Sequence, residues 1–257
     1  MALRYSDGLR NFLAKYGSLA DALTNGQIMI YSGAQPASPN AAPTGTLLCT
    51  ITDSSNARTA EVLATGTVTL TGGASGSVDT ITVNGVEIMG GSVPFNGTLN
   101  QTALDVASQI NRTKSAVDYT ASASGAVITI SAMRGTGTVP NSFTVAGTST
   151  TITASYTAMS GGVAAVNGLK FDYPNTGVMG AFPNQKWSGN NVSDGSAGWF
   201  RFVGSVADSG ALDTTASQIR LDGAVSTTGT ELSLNSTTLS NGAETRVTTA
   251  TATVPAQ

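Results

Sequence analysis

Asp194, Asp208 and Asp213 are the residues whose type and spacing come nearest to a reactive or ion-binding set, because loop carboxylates in Gly- and Ser-rich stretches can gather around a hard cation such as Ca²⁺. Their spacing fits no EF-hand loop, and an Asp in such a stretch more simply bonds its own backbone in a turn. Serine is abundant, yet the chain contains no His, and neither a Ser-x-x-Lys pattern nor a Gly-x-Ser-x-Gly elbow occurs, so the usual routes to an activated serine are closed. The single thiol, Cys49, stands in the strand-like run Leu47-Leu48-Cys49-Thr50-Ile51 and is expected to be a buried, inert residue. Trp187, Trp199, Phe200 and Phe202 could line a sugar-binding face. Within Gly198 to Gly204, however, Trp199, Arg201 and Val203 alternate with Phe200 and Phe202, so at least one face must pack a core or a subunit interface. The expectation is a protein with no catalytic residue, no cofactor and no metal ligand set.

The charge pattern narrows the partners. Only 11% of the 257 residues are charged, 12 Lys and Arg stand against 15 Asp and Glu, and no basic stripe exists to neutralise phosphates, which argues against nucleic-acid binding. Met1 to Tyr16 mixes Arg4, Asp7, Arg10 and Lys15 with apolar residues, so neither a secretory signal nor a membrane span is expected, and synthesis in a cytoplasm follows. With 40% hydrophobic residues the chain can bury real cores, and its wealth of Thr and Val, with 30 Gly for turns, favours strands over helices.

The elements can be placed in order. Ser6 or Asp7 can cap a helix whose stripe is Leu9, Phe12, Leu13 and Tyr16, ended by Gly17; Ser18 can cap a second short helix from Leu19 to Thr24, stopped by Asn25-Gly26 before a strand from Gln27 to Ser32. Pro36, Pro39 and Pro43 make residues 35–46 an extended loop, solvated or laid over a neighbour. A strand from Thr46 to Thr52 follows. From about Thr59 the texture changes to alternating Thr, Gly and Val, with Asn84-Gly85 as a hairpin signal and a helix capped by Asn100 and striped by Ala103, Val106, Ala107 and Ile110. Further strands are predicted at 118–122, 126–132, 142–146 and 151–156. After Ser160-Gly161-Gly162, alternation at Gly168 to Tyr173, Gly198 to Gly204, Ser217 to Leu221, Glu231 to Leu234 and Thr245 to Val254 predicts a last set of strands.

Two strands and a helix are too little for a core, so the first segment must pair with the last. The predicted fold is mainly β: a β-sandwich or jelly-roll-like domain formed by both chain ends, residues 1–58 plus 166–257, with an inserted small α+β or β-sandwich domain over residues 60–163.

The residues also resemble a known group. Leu9-Arg10-Asn11, the run from Gly26 to Pro36, Thr44 to Leu48, Trp187-Ser188-Gly189, Ser196 to Phe202 and the end of the chain resemble uncharacterised virion proteins of tailed bacteriophages, and the run Tyr119 to Ile130 resembles a Thr-rich module inserted into phage head and tail surface proteins. The resemblance implies a noncatalytic virion structural protein, made in the host bacterial cytoplasm and located in the particle, as a capsid decoration or head-surface protein. The alternatives are a tail-associated protein of baseplate, collar or fibre anchor, and a glycan-binding surface module. The implied partners are other copies of the chain and phage capsid or tail proteins, with a host surface glycan for the last alternative and neither nucleic acid nor membrane. The N-terminal helix and the Pro-rich loop are the expected partner contacts, through Leu9, Phe12, Leu13, Tyr16, Pro36, Pro39 and Pro43.

Overall fold

The computed structural model describes residues 3–115, 118–173, 178–228 and 232–253. Glu231 and Val254, expected in strands, lie outside the described residues. The chain opens with β1 (Arg4–Tyr5), α1 (Asp7–Lys15), α2 (Leu19–Leu23), β2 (Gln27–Ser32) and β3 (Leu47–Asp53). It continues through β4 (Thr65–Gly72), β5 (Ser77–Val83), β6 (Val86–Glu87), β7 (Val93–Pro94), α3 (Leu99–Arg112), β8 (Tyr119–Ser124), β9 (Val127–Ala132), β10 (Val145–Thr150) and β11 (Thr153–Ser160). The last segment supplies β12 (Val178–Gly180), β13 (Trp187–Asn190), β14 (Gly195–Val203), β15 (Arg220–Ser226), β16 (Leu232–Leu234), β17 (Thr238–Leu239) and β18 (Glu244–Thr253). The protein is mainly β. It divides into two compact units, Met1–Glu61 with Ala165–Gln257, and Val62–Ala164.

In the first unit the strand ladder closes on itself. Pairing runs β15-β16-β18-β13-β3-β2-β14 and returns from β14 to β15, a ring of seven strands in which only β15 and β16 are parallel. Closure removes the exposed edges an open sheet would carry. The short β1, β12 and β17 add to β15, β18 and β14. Directly opposed residues share a face, and the register sets Phe202 beside Ile28 and Leu221, Phe200 beside Ile30, and Ile28 and Ile30 beside Ile51 and Cys49. All are buried, with Trp187 and Phe202 in edge contact at 6.0 Å between ring centroids. Gly189 of β13 lets this core close, since a Cβ there would lie 2.0 Å from the Thr50 carbonyl oxygen.

Caps fix the N-terminal helices. The Ser6 hydroxyl accepts the Leu9 N–H at 3.1 Å, and Ser18 with Asp21 forms a capping box. Alternation at Gly168 to Tyr173 does not produce the expected strand: Leu169 and Phe171 form isolated bridges to Gly26 and Ala181, and the Phe171 ring packs on Trp187 and Phe202 instead.

The second unit contains two antiparallel four-stranded sheets, β11-β4-β9-β8 and β10-β5-β6 with β7 beside β5. Val68, Leu70, Ile128 and Ile130 from the first and Val78, Ile81, Val83 and Val145 from the second join Ala103, Val106 and Ile110 of α3 in one cluster. The cap lies two residues before the expected Asn100, because the Thr98 hydroxyl accepts the Gln101 N–H at 3.1 Å and leaves Asn100 inside the first turn. The strand expected from Ser142 begins at Val145, since Ser142 takes a left-handed φ of 73°. No described helix is long and apolar enough to cross a membrane.

Candidate functional site

The most heavily built feature of the first unit lies on the face of β14 opposite Phe200 and Phe202. Arg201 sits directly across from Asp222 in the β14–β15 register, and the pair is bidentate, Nε to Oδ1 at 2.8 Å and Nη2 to Oδ2 at 2.7 Å, with neither side chain exposed. The Tyr31 ring stacks on Trp199 at 4.6 Å, and the Arg201 guanidinium lies 5.5 Å from the Trp199 ring centroid. A second buried pair stands alongside: Arg220 grips Asp208 through Nε and Nη2, each at 2.6 Å.

These arginines hold a strap, residues 35–46. Arg201 Nη1 donates to the Ala41 carbonyl at 2.9 Å, and Arg220 Nη1 donates to those of Pro39 and Asn40, each at 3.1 Å. The strap also accepts from Arg4 through the Pro36 carbonyl, and Asn40 exchanges hydrogen bonds with Asp7 at 2.7 and 3.0 Å. Inside the strap the Ala41 N–H turns back to the Ser38 carbonyl at 3.1 Å, and the buried guanidiniums supply donors to the carbonyls that follow.

Burial pushes the Asp222 carboxyl above its usual range, while Arg201 pulls it back. At Arg220 burial opposes the charge, but the hydrogen bonds and charge of Asp208 prevail and raise its pKa. The charges answer one another out of reach of solvent. Such a network can position backbone, but it cannot receive a solute.

The three carboxylates considered as cation ligands do not meet. Asp208 is taken by Arg220; Asp213 accepts the backbone N–H groups of Thr215, Ser217 and Gln218; Asp194 accepts the Asn241 N–H at 2.8 Å. For Asp213 burial is the largest single effect and pushes the carboxyl up, but the hydrogen bonds from Gln218, Thr215 and Ser217 together outweigh it and hold the carboxyl below the usual range. The aromatics considered for sugar binding, Trp187, Trp199, Phe200 and Phe202, are 3, 0, 3 and 4% exposed, so no sugar ring can stack on them in this fold. Burial pushes the Cys49 thiol up to about 12, against a smaller effect of its Thr245 hydrogen bond. A shallow groove of about 190 Å³ between residues 181–187 and β18 is lined by Phe182, Lys186, Trp187 and Arg246 among others. It is smaller than the roughly 300–1,000 Å³ typical of small-molecule sites.

The expected contact residues divide in two. Leu9, Phe12, Pro36 and Pro39 are buried within this unit, where they pack the protein's own helix and strap. Leu13, Tyr16 and Pro43 keep partial exposure. Helix α1 rests so closely on the segment leading into β15 that a Cβ on Gly8 would lie 2.3 Å from the Gln218 carbonyl oxygen. Lys15 donates to the Tyr16 hydroxyl at 2.8 Å, and the Tyr16 ring lies 5.8 Å from Phe12.

Arg220 and Asp222, and the bracing role of Arg201, are the residues that sequence reasoning missed. The available signal was a charge set inside an apolar run, Arg201 between Phe200 and Phe202 and Asp222 after Leu221, in a chain with few charges. Compared with known proteins, the chain matches no family model, no curated protein and no solved structure.

Proposed function

We propose that this chain is a noncatalytic structural component of a tailed-phage particle, positioned on the head surface as a decoration protein. The observation that carries the reading is the strapped barrel: its buried arginines and their carboxylates brace loops from the inside, as a load-bearing module requires, and present no group to a substrate. The sequence resemblance set out above points the same way. The second unit adds a surface of the same character. Outward positions on β4, β8, β9 and β11 are Thr65, Thr67, Thr69, Thr71, Thr120, Ser122, Ser124, Thr129, Ser131, Thr153, Ser155 and Thr157, with Val127 interrupting them. Thr67 meets Thr157 at 2.6 Å and Thr71 meets Thr153 at 3.0 Å between hydroxyl oxygens. Many copies of such a module can add weak contacts into a large total. In this reading Leu13, Tyr16 and Pro43 contribute the exposed part of the contact surface.

Quantitative mass spectrometry of purified particles tests the proposal. A head decoration protein is present in numbers comparable to the major capsid protein. A ratio lower by orders of magnitude assigns the chain to the tail, and its absence from particles removes the structural reading.

A further inference from the structure

We propose that Asn84 is a site of spontaneous deamidation, selected by the fold from the five Asn-Gly pairs of this chain, Asn25-Gly26, Asn84-Gly85, Asn96-Gly97, Asn167-Gly168 and Asn241-Gly242. In this reaction the backbone nitrogen of the following residue attacks the side-chain Cγ of Asn; the new C–N bond closes a succinimide and the side-chain nitrogen leaves as ammonia. Water then opens the ring at either carbonyl, giving aspartate or isoaspartate. The step needs an Asn side chain free to turn toward its own backbone, an uncommitted N–H on the next residue and no side chain there to obstruct the approach.

Asn84 and Gly85 are the two loop residues between β5 and β6, with φ of 49° and 79°, and Val83 pairs with Val86 across the turn. This is the left-handed pair of a two-residue hairpin. Both residues are exposed. Among the described residues the Asn84 side-chain amide and the Gly85 N–H have no hydrogen-bond partner, and a Cβ on Gly85 would meet no atom within 4 Å. The strand beyond the turn, β6, has two residues and lies at the end of its sheet, and the Asn84 backbone N–H donates to the Thr144 carbonyl at 2.9 Å, a bond that leaves both reacting groups uncommitted.

Each of the other four pairs lacks one requirement. The Gly26 N–H donates to the Leu23 carbonyl at 3.0 Å, and the Gly242 N–H to that of Asn191 at 2.9 Å. The Asn96 side chain donates to Asp105 at 2.7 Å, and that of Asn167 to the Ala57 carbonyl at 2.8 Å. Deamidation at residue 84 places a carboxylate three residues from Glu87, whose own carboxylate accepts the N–H groups of Ile81 and Met89. The isoaspartate form adds a backbone atom to a turn built for two residues.

The test is to hold the native full chain at mildly alkaline pH and follow peptides spanning all five pairs by mass spectrometry, beside an aliquot in denaturant. In denaturant all five convert. In the native chain the residue-84 peptide is expected to lead the others by roughly tenfold or more, the ratio that about 1.4 kcal/mol of differential protection produces. Asn84→Gln should abolish that signal and leave the remaining four unchanged. The proposal is overturned if another pair converts first, if residue 84 shows no lead, or if it stays intact over the interval in which the denatured chain converts it.

Discussion

Arg201 and Asp222 face each other across β14 and β15 with no exposure, so each keeps the other from being an unpaired charge in the core. Removing one partner is far worse than replacing both. Arg201→Met is therefore expected to lower unfolding free energy by about 3–5 kcal/mol, and the double variant Arg201→Met/Asp222→Leu to recover a large part of that loss in urea titrations. Asp222 stands 21 positions along the chain from Arg201. A long connection separates them, so their register could not be read from alternation alone. Cys49, by contrast, was legible as a buried thiol. Its folded pKa is raised to about 12, while an unfolded thiol ionises near 8.5. Above that lower value the unfolded chain loses the proton first, so the contribution of Cys49 to stability is full below it and declines as pH rises toward the folded value. Ellman's reagent should leave native Cys49 unmodified at neutral pH and label it in denaturant; rapid native labelling would contradict its burial.

Helix α1 gains its place from Leu9 and Phe12, which are 0 and 8% exposed, and from the approach of Gly8 to the segment leading into β15. Phe12→Ser should destabilise the isolated protein by about 3–5 kcal/mol, the range for truncating a buried Phe, whereas Tyr16→Ser should cost much less. Thermal unfolding of both variants decides this. The stripe Leu9, Phe12, Leu13 and Tyr16 announced a helix, but only packing determines which part of a stripe its own domain covers. β2 was plain because the apolar run Ile28 to Tyr31 follows closely on the Asn25-Gly26 stop. β13 was not, because Trp187-Ser188-Gly189-Asn190 is short and Gly189 is there for a close backbone approach. Residues 35–46 form a loop, as the three Pro predict, but it turns at 39–40 rather than running extended throughout, and the arginines that hold it come from β14 and β15, remote in sequence.

Within the first unit, Thr59 and Val166 exchange two hydrogen bonds, each 3.1 Å, and within the second, Val62 and Val163 exchange bonds of 3.1 and 2.9 Å. Each unit therefore brings its own cut ends together. Joining Glu61 to Ala165 through a short Gly-Ser linker should leave a folded β-rich protein, and residues 62–164 alone should fold around their own core; circular dichroism and cooperative melting report on both, and an unfolded product in either case would count against independent units. The composition shift near Thr59 and the Gly161-Gly162 pair stand close to the bounds of the two units, while the closure of the first ladder into a ring depends on pairings that no local pattern encodes. The proposed role of this strapped barrel is that of a structural part of a phage head. The direct measurement is electron cryomicroscopy of phage particles assembled with the chain present. The expected result is density for the barrel and its second unit repeated over the capsid surface, with α1 and the strap toward the shell; density confined to the tail, or none on the particle, would contradict it.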